Sequence, residues 1–170
     1  RQMEEAVLEV LPDGSDDFEV AVASVDPTSG AVRAFIGGPE FADFQFNLVT
    51  QGSRQPGSSF KTYVLAAAIE KAGLYPFDTI SGVGPCTFPN PPNVDYEVSN
   101  FNDNEGVVGT VQYAVLKSSN CGFVRLGLRT GLDNVVEVAN RLLGRDLENS
   151  FRPYLSMSLG AQEVTPLEQA

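Results

Sequence analysis

A chain of 170 residues with 22 acids against 11 bases, a formal charge of -11 and no histidine excludes much before any motif is read. The negative charge argues against a nucleic-acid backbone as partner, which demands clustered Lys and Arg, and the missing imidazole removes His-dependent triads and metal sites. Two cysteines cannot form a zinc site unaided, so acid-base chemistry must fall to Lys, carboxylates, Tyr or Ser.

With 42% hydrophobic residues, the composition fits one globular α/β domain over residues 1–170. The longest apolar run, Tyr63 to Ile69, is far short of the roughly 20 residues that cross a bilayer, so any anchor or export signal is expected outside this segment. Met3, Ala6, Val7 and Val10 recur at helical spacing over Arg1 to Leu11, and the acidic loop Pro12 to Asp17 is expected to end that helix. Glu19 to Val25 and Ala31 to Ile36 read as a hairpin around Asp26-Pro27-Thr28-Ser29-Gly30. Gly37-Gly38 opens a long loop. Ser58 to Ala72 is helix-prone and apolar in its middle, predicting a helix buried on most sides with Ser58 at its N-terminus.

Gly73 to Gly109, rich in Pro, Gly and Asn, reads as a long irregular excursion. Thr110 is placed as the N-cap of a helix through Lys117, a second helix spans about Cys121 to Arg129, and Asp133 caps a third ending at Gly144. Leu155 to Leu159 alternates as a short strand does, and Thr165-Pro166 opens a last helix.

Two short motifs carry chemistry. In Ser58-Ser59-Phe60-Lys61 the hydroxyl of Ser58 and the amine of Lys61 share a helical face, and burial of the lysine would make it a base for the serine. Free N–H groups at the same helix start would stabilise an oxyanion beside Ser58. The plainer alternative is that Ser58 merely caps a helix. In Lys117-Ser118-Ser119-Asn120, Ser118 and Asn120 alternate and can face one cleft; the alternative is a polar turn between helices.

Taken together, the two motifs resemble those of the transpeptidase domain of class A penicillin-binding proteins. "VASVDPTSGAVRAFIGG" is similar to their opening hairpin, "FNLVTQGSRQPGSSFK" to the approach to their nucleophile, and "MSLGAQEVTPLEQA" to the segment after the second motif. The resemblance implies a β-lactamase/transpeptidase-like α/β fold, an antiparallel sheet flanked by helices with the Ser58 helix central. It implies a serine D,D-transpeptidase that cross-links peptidoglycan stem peptides and is acylated by β-lactams. Ser58 would be nucleophile and contribute to the oxyanion site, Lys61 its base, and Ser118 and Asn120 catalytic and substrate-binding groups.

No metal or cofactor is expected, and a glycosyltransferase domain is expected elsewhere in the full-length protein, at the extracytoplasmic face of a bacterial plasma membrane. No Lys-Thr-Gly follows Ser118, so that third motif and the C-terminal strands are expected beyond the chain end; Arg129-Thr130-Gly131 is no substitute, since Gly131 reads as a helix C-cap. A penicillin-recognising sensor, an inactive wall-binding scaffold and a serine β-lactamase are the alternatives. A β-lactamase needs a carboxylate to activate water, and Glu148 in "DLENSF" reads as a surface charge instead. Cys86 and Cys121 are either a disulfide, suited to an oxidising compartment, or two small buried apolar residues. The aromatic and Asn residues of Tyr96 to Asn104 would line the peptide groove or serve loop packing.

Overall fold

The computed structural model describes residues 1–11, 19–38 and 45–170. Two compact units divide these residues: one comprises Arg1–Arg54 with Glu163–Ala170, the other Gln55–Gln162. The acidic loop expected at Pro12 to Asp17 and part of the loop after Gly38 lie outside the described residues.

In the first unit, helix α1 (Gln2–Val10) precedes an antiparallel hairpin of β1 (Val22–Val25) and β2 (Val32–Ile36). Val22 pairs with Ile36 and Ala23 with Phe35, and the register shifts between Ser24 and Val25. The expected turn is closed by Asp26, whose Oδ1 accepts from the Thr28 and Ser29 N–H groups at 2.8 and 3.3 Å. The Arg33 guanidinium also pairs with it, and that contact leads the causes holding the Asp26 carboxyl below its ordinary range. Arg54 bridges Val164 in antiparallel fashion.

The second unit is built around a helix that begins more gradually than the sequence predicts. Gly57–Phe60 form a 3-10 turn, and α2 proper runs from Lys61 to Ala72, ending at Gly73 in the left-handed conformation. Its buried face is Lys61, Val64, Ala67 and Ala68; Ile69 is half exposed, so the helix is one-sided rather than buried on most sides. The small Ala67 and Ala68 let other helices come close.

Residues 73–109 are more regular than expected. β3 (Thr79–Ser81) pairs with β6 (Val108–Thr110), and β4 (Cys86–Phe88) with β5 (Tyr96–Val98), both antiparallel. Strands of three residues carry too few alternations for the period of two to show in a Pro- and Gly-rich sequence.

Thr110 caps α3 (Val111–Leu116), its side chain accepting from the Tyr113 N–H. α4 (Asn120–Thr130) is capped by Ser119 and stopped at Gly131, whose φ of 88° suits glycine. α5 (Leu132–Leu143) starts directly after Gly131, so Asp133 lies in its first turn rather than at the cap, where its charge still opposes the helix dipole. Val135, Val138, Ala139 and Leu143 form its buried stripe.

Leu155–Leu159 is a 3-10 turn, not the expected strand. Leu155, Met157 and Leu159 alternate with serines as strand residues do, but Gly160 at φ 73° donates its N–H to Met157 O at 2.9 Å and closes the turn. In the first unit, α6 (Pro166–Gln169) opens with a capping box between Thr165 and Glu168, as the Thr165-Pro166 pair suggests.

Cys86 and Cys121 are joined, linking β4 to the first turn of α4 inside a core that also holds Phe88, Val98, Val124 and Leu155. The bridge spans 35 residues, so loop-closure entropy assigns it about 4 kcal/mol. Replacing both cysteines by serine should lower the denaturant midpoint accordingly, and an unchanged midpoint would show that the core alone holds these segments together.

Candidate active site

The site forms in the second unit, where the 3-10 turn leading into α2 meets the corner between α3 and α4. Pro56 enters this turn in the α region and Gly57 follows at φ 56°, a conformation that glycine adopts without strain. The tightened turn then has three residues per revolution, so side chains three apart eclipse one another. That geometry sets the exposed Ser58 hydroxyl 3.1 Å from the buried Lys61 Nζ. Ser59 points elsewhere, donating its hydroxyl to Pro56 O at 2.8 Å.

Gly160 braces this turn from behind. Gly57 N donates to Gly160 O at 3.2 Å, and a Cβ on Gly160 would lie 2.2 Å from Gly57 O. Because Gly160 also has a left-handed φ, Gly160→Ala is strained twice over and must push back the backbone that carries Ser58. We expect this variant to lose at least tenfold in any reaction of Ser58, on the order of the loss that a misplaced reacting group produces. Kinetics equal to the parent's would show that the contact does not position the turn.

From the other side come Ser118 and Asn120. Lys61 Nζ lies 2.7 Å from Ser118 O, 3.0 Å from Ser118 Oγ and 2.8 Å from Asn120 Oδ1. Ser118 reaches this position in the left-handed region at φ 49°, which for a non-glycine residue costs roughly 1–3 kcal/mol. Asn120 is the first residue of α4, and its amide is oriented by donating Nδ2 to Ser99 O at 2.9 Å, which leaves Oδ1 facing the lysine. Four oxygens thus surround one amine, and the Phe123 ring closes the apolar side at 5.4 Å from Nζ.

Burial pulls the Lys61 amine down from 10.5 to about 8, and among the described residues no carboxylate pairs with it. A lysine in that range is partly neutral near physiological pH and can take a proton from a hydroxyl at hydrogen-bond distance. The arrangement therefore suits nucleophilic chemistry at Ser58, with Ser118 in reach of the same amine as a second proton-carrying group.

One organising residue escaped the sequence reading. Asn100 is nearly buried, and its amide makes all four bonds open to it: Nδ2 donates to Gly82 O at 2.8 Å and to Asn104 O at 3.1 Å, while Oδ1 accepts from Ser119 Oγ and Cys121 N, each at 3.2 Å. It ties the strand region to the corner holding Ser118 and Asn120. Asn100 lies in the Tyr96 to Asn104 stretch, yet its partners are up to 21 residues away and no local pattern marks it. Of the other candidates, Glu148 is exposed in a turn held by Asp146, and Arg129-Thr130-Gly131 ends α4. Among the described residues no group of His, Cys, Asp and Glu forms a metal cluster.

Comparison with known proteins places the chain in a family. Residues 20–170 match the family described as the penicillin binding protein transpeptidase domain. Penicillin-binding protein 1A of Aquifex aeolicus is 32% identical over 94% of this chain and 21% of its own length. Its counterpart in Neisseria meningitidis serogroup B is 32% identical over 88% of this chain and 18% of its own. The chain thus spans about a fifth of the length of these curated relatives.

In structure, penicillin-binding protein 1A of Haemophilus influenzae superposes with a TM-score of 0.80 at 28% identity, covering 89% of this chain and 22% of that one. PonA1 of Mycobacterium tuberculosis in complex with penicillin V gives 0.78 at 26% identity, covering 97% of this chain and 45% of the other. The mixed α/β fold is that of penicillin-binding transpeptidases, and the chain belongs to the penicillin-binding protein transpeptidase family, a family of β-lactam targets.

Proposed function

We propose that Ser58 is the nucleophile of a serine D,D-transpeptidase that cross-links peptidoglycan stem peptides. The reading is supported above all by the buried Lys61 amine lying between Ser58 Oγ, Ser118 Oγ and Asn120 Oδ1. Neutral Lys61 takes the Ser58 proton as Oγ attacks the carbonyl carbon between two D-Ala residues of a stem peptide. The Ser58 N–H, which has no backbone acceptor among the described residues, supplies one oxyanion donor.

As the tetrahedral intermediate collapses, the C–N bond breaks and the proton held by Lys61 passes through Ser118 to the departing D-Ala amine. A neighbouring stem's amine then attacks the acyl-serine, giving up a proton by the same route in reverse, and Ser58 regains its hydrogen. Asn120 orients the lysine and the substrate amide. A β-lactam opens on the same serine, but its leaving nitrogen stays tethered, so the acyl-enzyme persists. No metal or cofactor enters this sequence. The Cys86–Cys121 bridge suits placement at the extracytoplasmic face of a bacterial membrane; among the described residues no helix is long and apolar enough to span one. The greater length of the relatives leaves room in the whole protein for a glycosyltransferase domain.

The test is turnover by the whole protein on a stem peptide ending in D-Ala-D-Ala with an amine acceptor. One D-Ala should be released for each cross-link formed. A stable acyl-enzyme without product would point to a sensor, and rapid hydrolysis of penicillin to a β-lactamase.

A further inference from the structure

A cavity of about 410 Å³ lies beside the corner that carries Ser118, walled by Asn100, Phe101, Asn102, Asn104 and Gly106 on one side and by β6 and α3 on the other. It shares Ser118 with the catalytic cluster but is not lined by Ser58, Lys61 or Asn120. Its size falls within the range of small-ligand sites. Backbone strain gathers around it: Asn102, Asp103 and Ser118, with φ of 53°, 52° and 49°, are the described non-glycine residues in the left-handed region. Asn102 and Ser118 line the cavity, and Asp103 sits in the same turn. Such conformations persist where the surroundings enforce them, commonly at ligand sites.

The lining has a definite chemistry. Lys117 is its only charged residue, in a chain of net charge -11. Its ammonium lies 5.8 Å from the centre of the Tyr113 ring, and among the described residues no carboxylate pairs with it. Asn104 uses Oδ1 to accept from Gly106 N, which leaves its Nδ2 to donate, and the exposed Asn102 amide has no partner among the described residues. Phe101 is 81% exposed, an apolar ring set in this polar wall. A cation, free amide donors and an uncovered ring suit a short peptide carrying a carboxylate, and suit a cationic ligand poorly.

We propose that this cavity is a subsite for a carboxylate-bearing stretch of a stem peptide, with the carboxylate against Lys117, backbone amides on Asn102 and Asn104, and an apolar side chain on Phe101. The assignment rests on the reading of Ser58 as a nucleophile for stem peptides, and either the donor or the acceptor stem carries the chemistry required.

The experiment uses the whole protein and two pairs of synthetic stem peptides, each a carboxylate and its carboxamide. In the donor arm, the rate of acylation by each member of a D-Ala-D-Ala pair is measured. In the acceptor arm, a preformed acyl-enzyme is partitioned between members of an amine pair. The parent should prefer the carboxylate about three- to fivefold in one arm, the yield of one partly exposed ion pair, and that arm identifies the stem. Lys117→Gln should erase the preference and Lys117→Glu reverse it. Because each ratio is taken within one protein, partial loss of folded enzyme cancels. Equal use of both members in both arms, or a preference that survives Lys117→Glu, overturns the subsite. Penicillin labelling of the parent separates the two claims: if Ser58 fails to label, the nucleophile reading itself is lost, whereas labelling without carboxylate preference removes only the subsite.

Discussion

Ser58→Ala is expected to abolish covalent labelling of the whole protein by a fluorescent penicillin, while Ser59→Ala retains it. The two hydroxyls are adjacent in sequence but differ in what they face. Ser58 Oγ lies 3.1 Å from Lys61 Nζ, whereas the Ser59 hydroxyl is committed to Pro56 O at 2.8 Å. A hydroxyl without a base is a weak nucleophile at neutral pH, so proximity to the amine decides which serine reacts. Gel fluorescence after labelling reads the result directly. Labelling that survives Ser58→Ala, or is lost in Ser59→Ala while the protein remains folded, would move the nucleophile.

The second large effect concerns the base. Lys61→Ala should slow acylation at least about a hundredfold, the usual yield of a positioned general base. Lys61→Arg should do no better, since a guanidinium keeps its proton throughout the accessible range. In the parent, acylation should rise with pH through about 8, where burial places the amine, because only the neutral form accepts a proton. The same shift acts on folding. Between about pH 8 and 10.5 the unfolded chain holds this proton while the folded one has released it, so stability rises with pH across that window. Stopped-flow acylation of parent and variants checks the kinetic part, and a flat pH profile or an unimpaired Lys61→Ala would remove the lysine from the role of base.

How much of this was legible in the sequence depends on how far apart the partners lie. Ser58 and Lys61 are three residues apart, so helical geometry alone places them together, and the 3-10 form of the turn only tightens the match. Ser118 and Asn120 lie 57 and 59 residues beyond Lys61. No periodicity reports a contact of that range, and the resemblance to transpeptidases supplied it. Caps were readable where a side chain closes the turn, as at Thr110 and Thr165. They were misplaced at Asp133, where Gly131 does the capping through its backbone alone.

Asn100 stayed hidden because three of its four hydrogen bonds reach segments that the chain brings together only on folding. The strand expected at Leu155 to Leu159 failed for a different reason. Five residues of alternating polarity satisfy a strand and a tight turn alike, and the turn is settled by Gly160 and its contact with Gly57. That contact links the mistaken element to the turn that carries Ser58, so a part of the site hard to read from local pattern braces Ser58 in place.

The most direct measurement is peptide mapping of the parent protein after treatment with excess penicillin. Trypsin should release Gln55 to Lys61, which contains just two serines, Ser58 and Ser59. The account predicts that this peptide carries the mass of one opened β-lactam and that fragmentation places it on Ser58. An adduct on Ser59 or on any other residue, or unmodified protein under conditions in which the parent is folded, would contradict it.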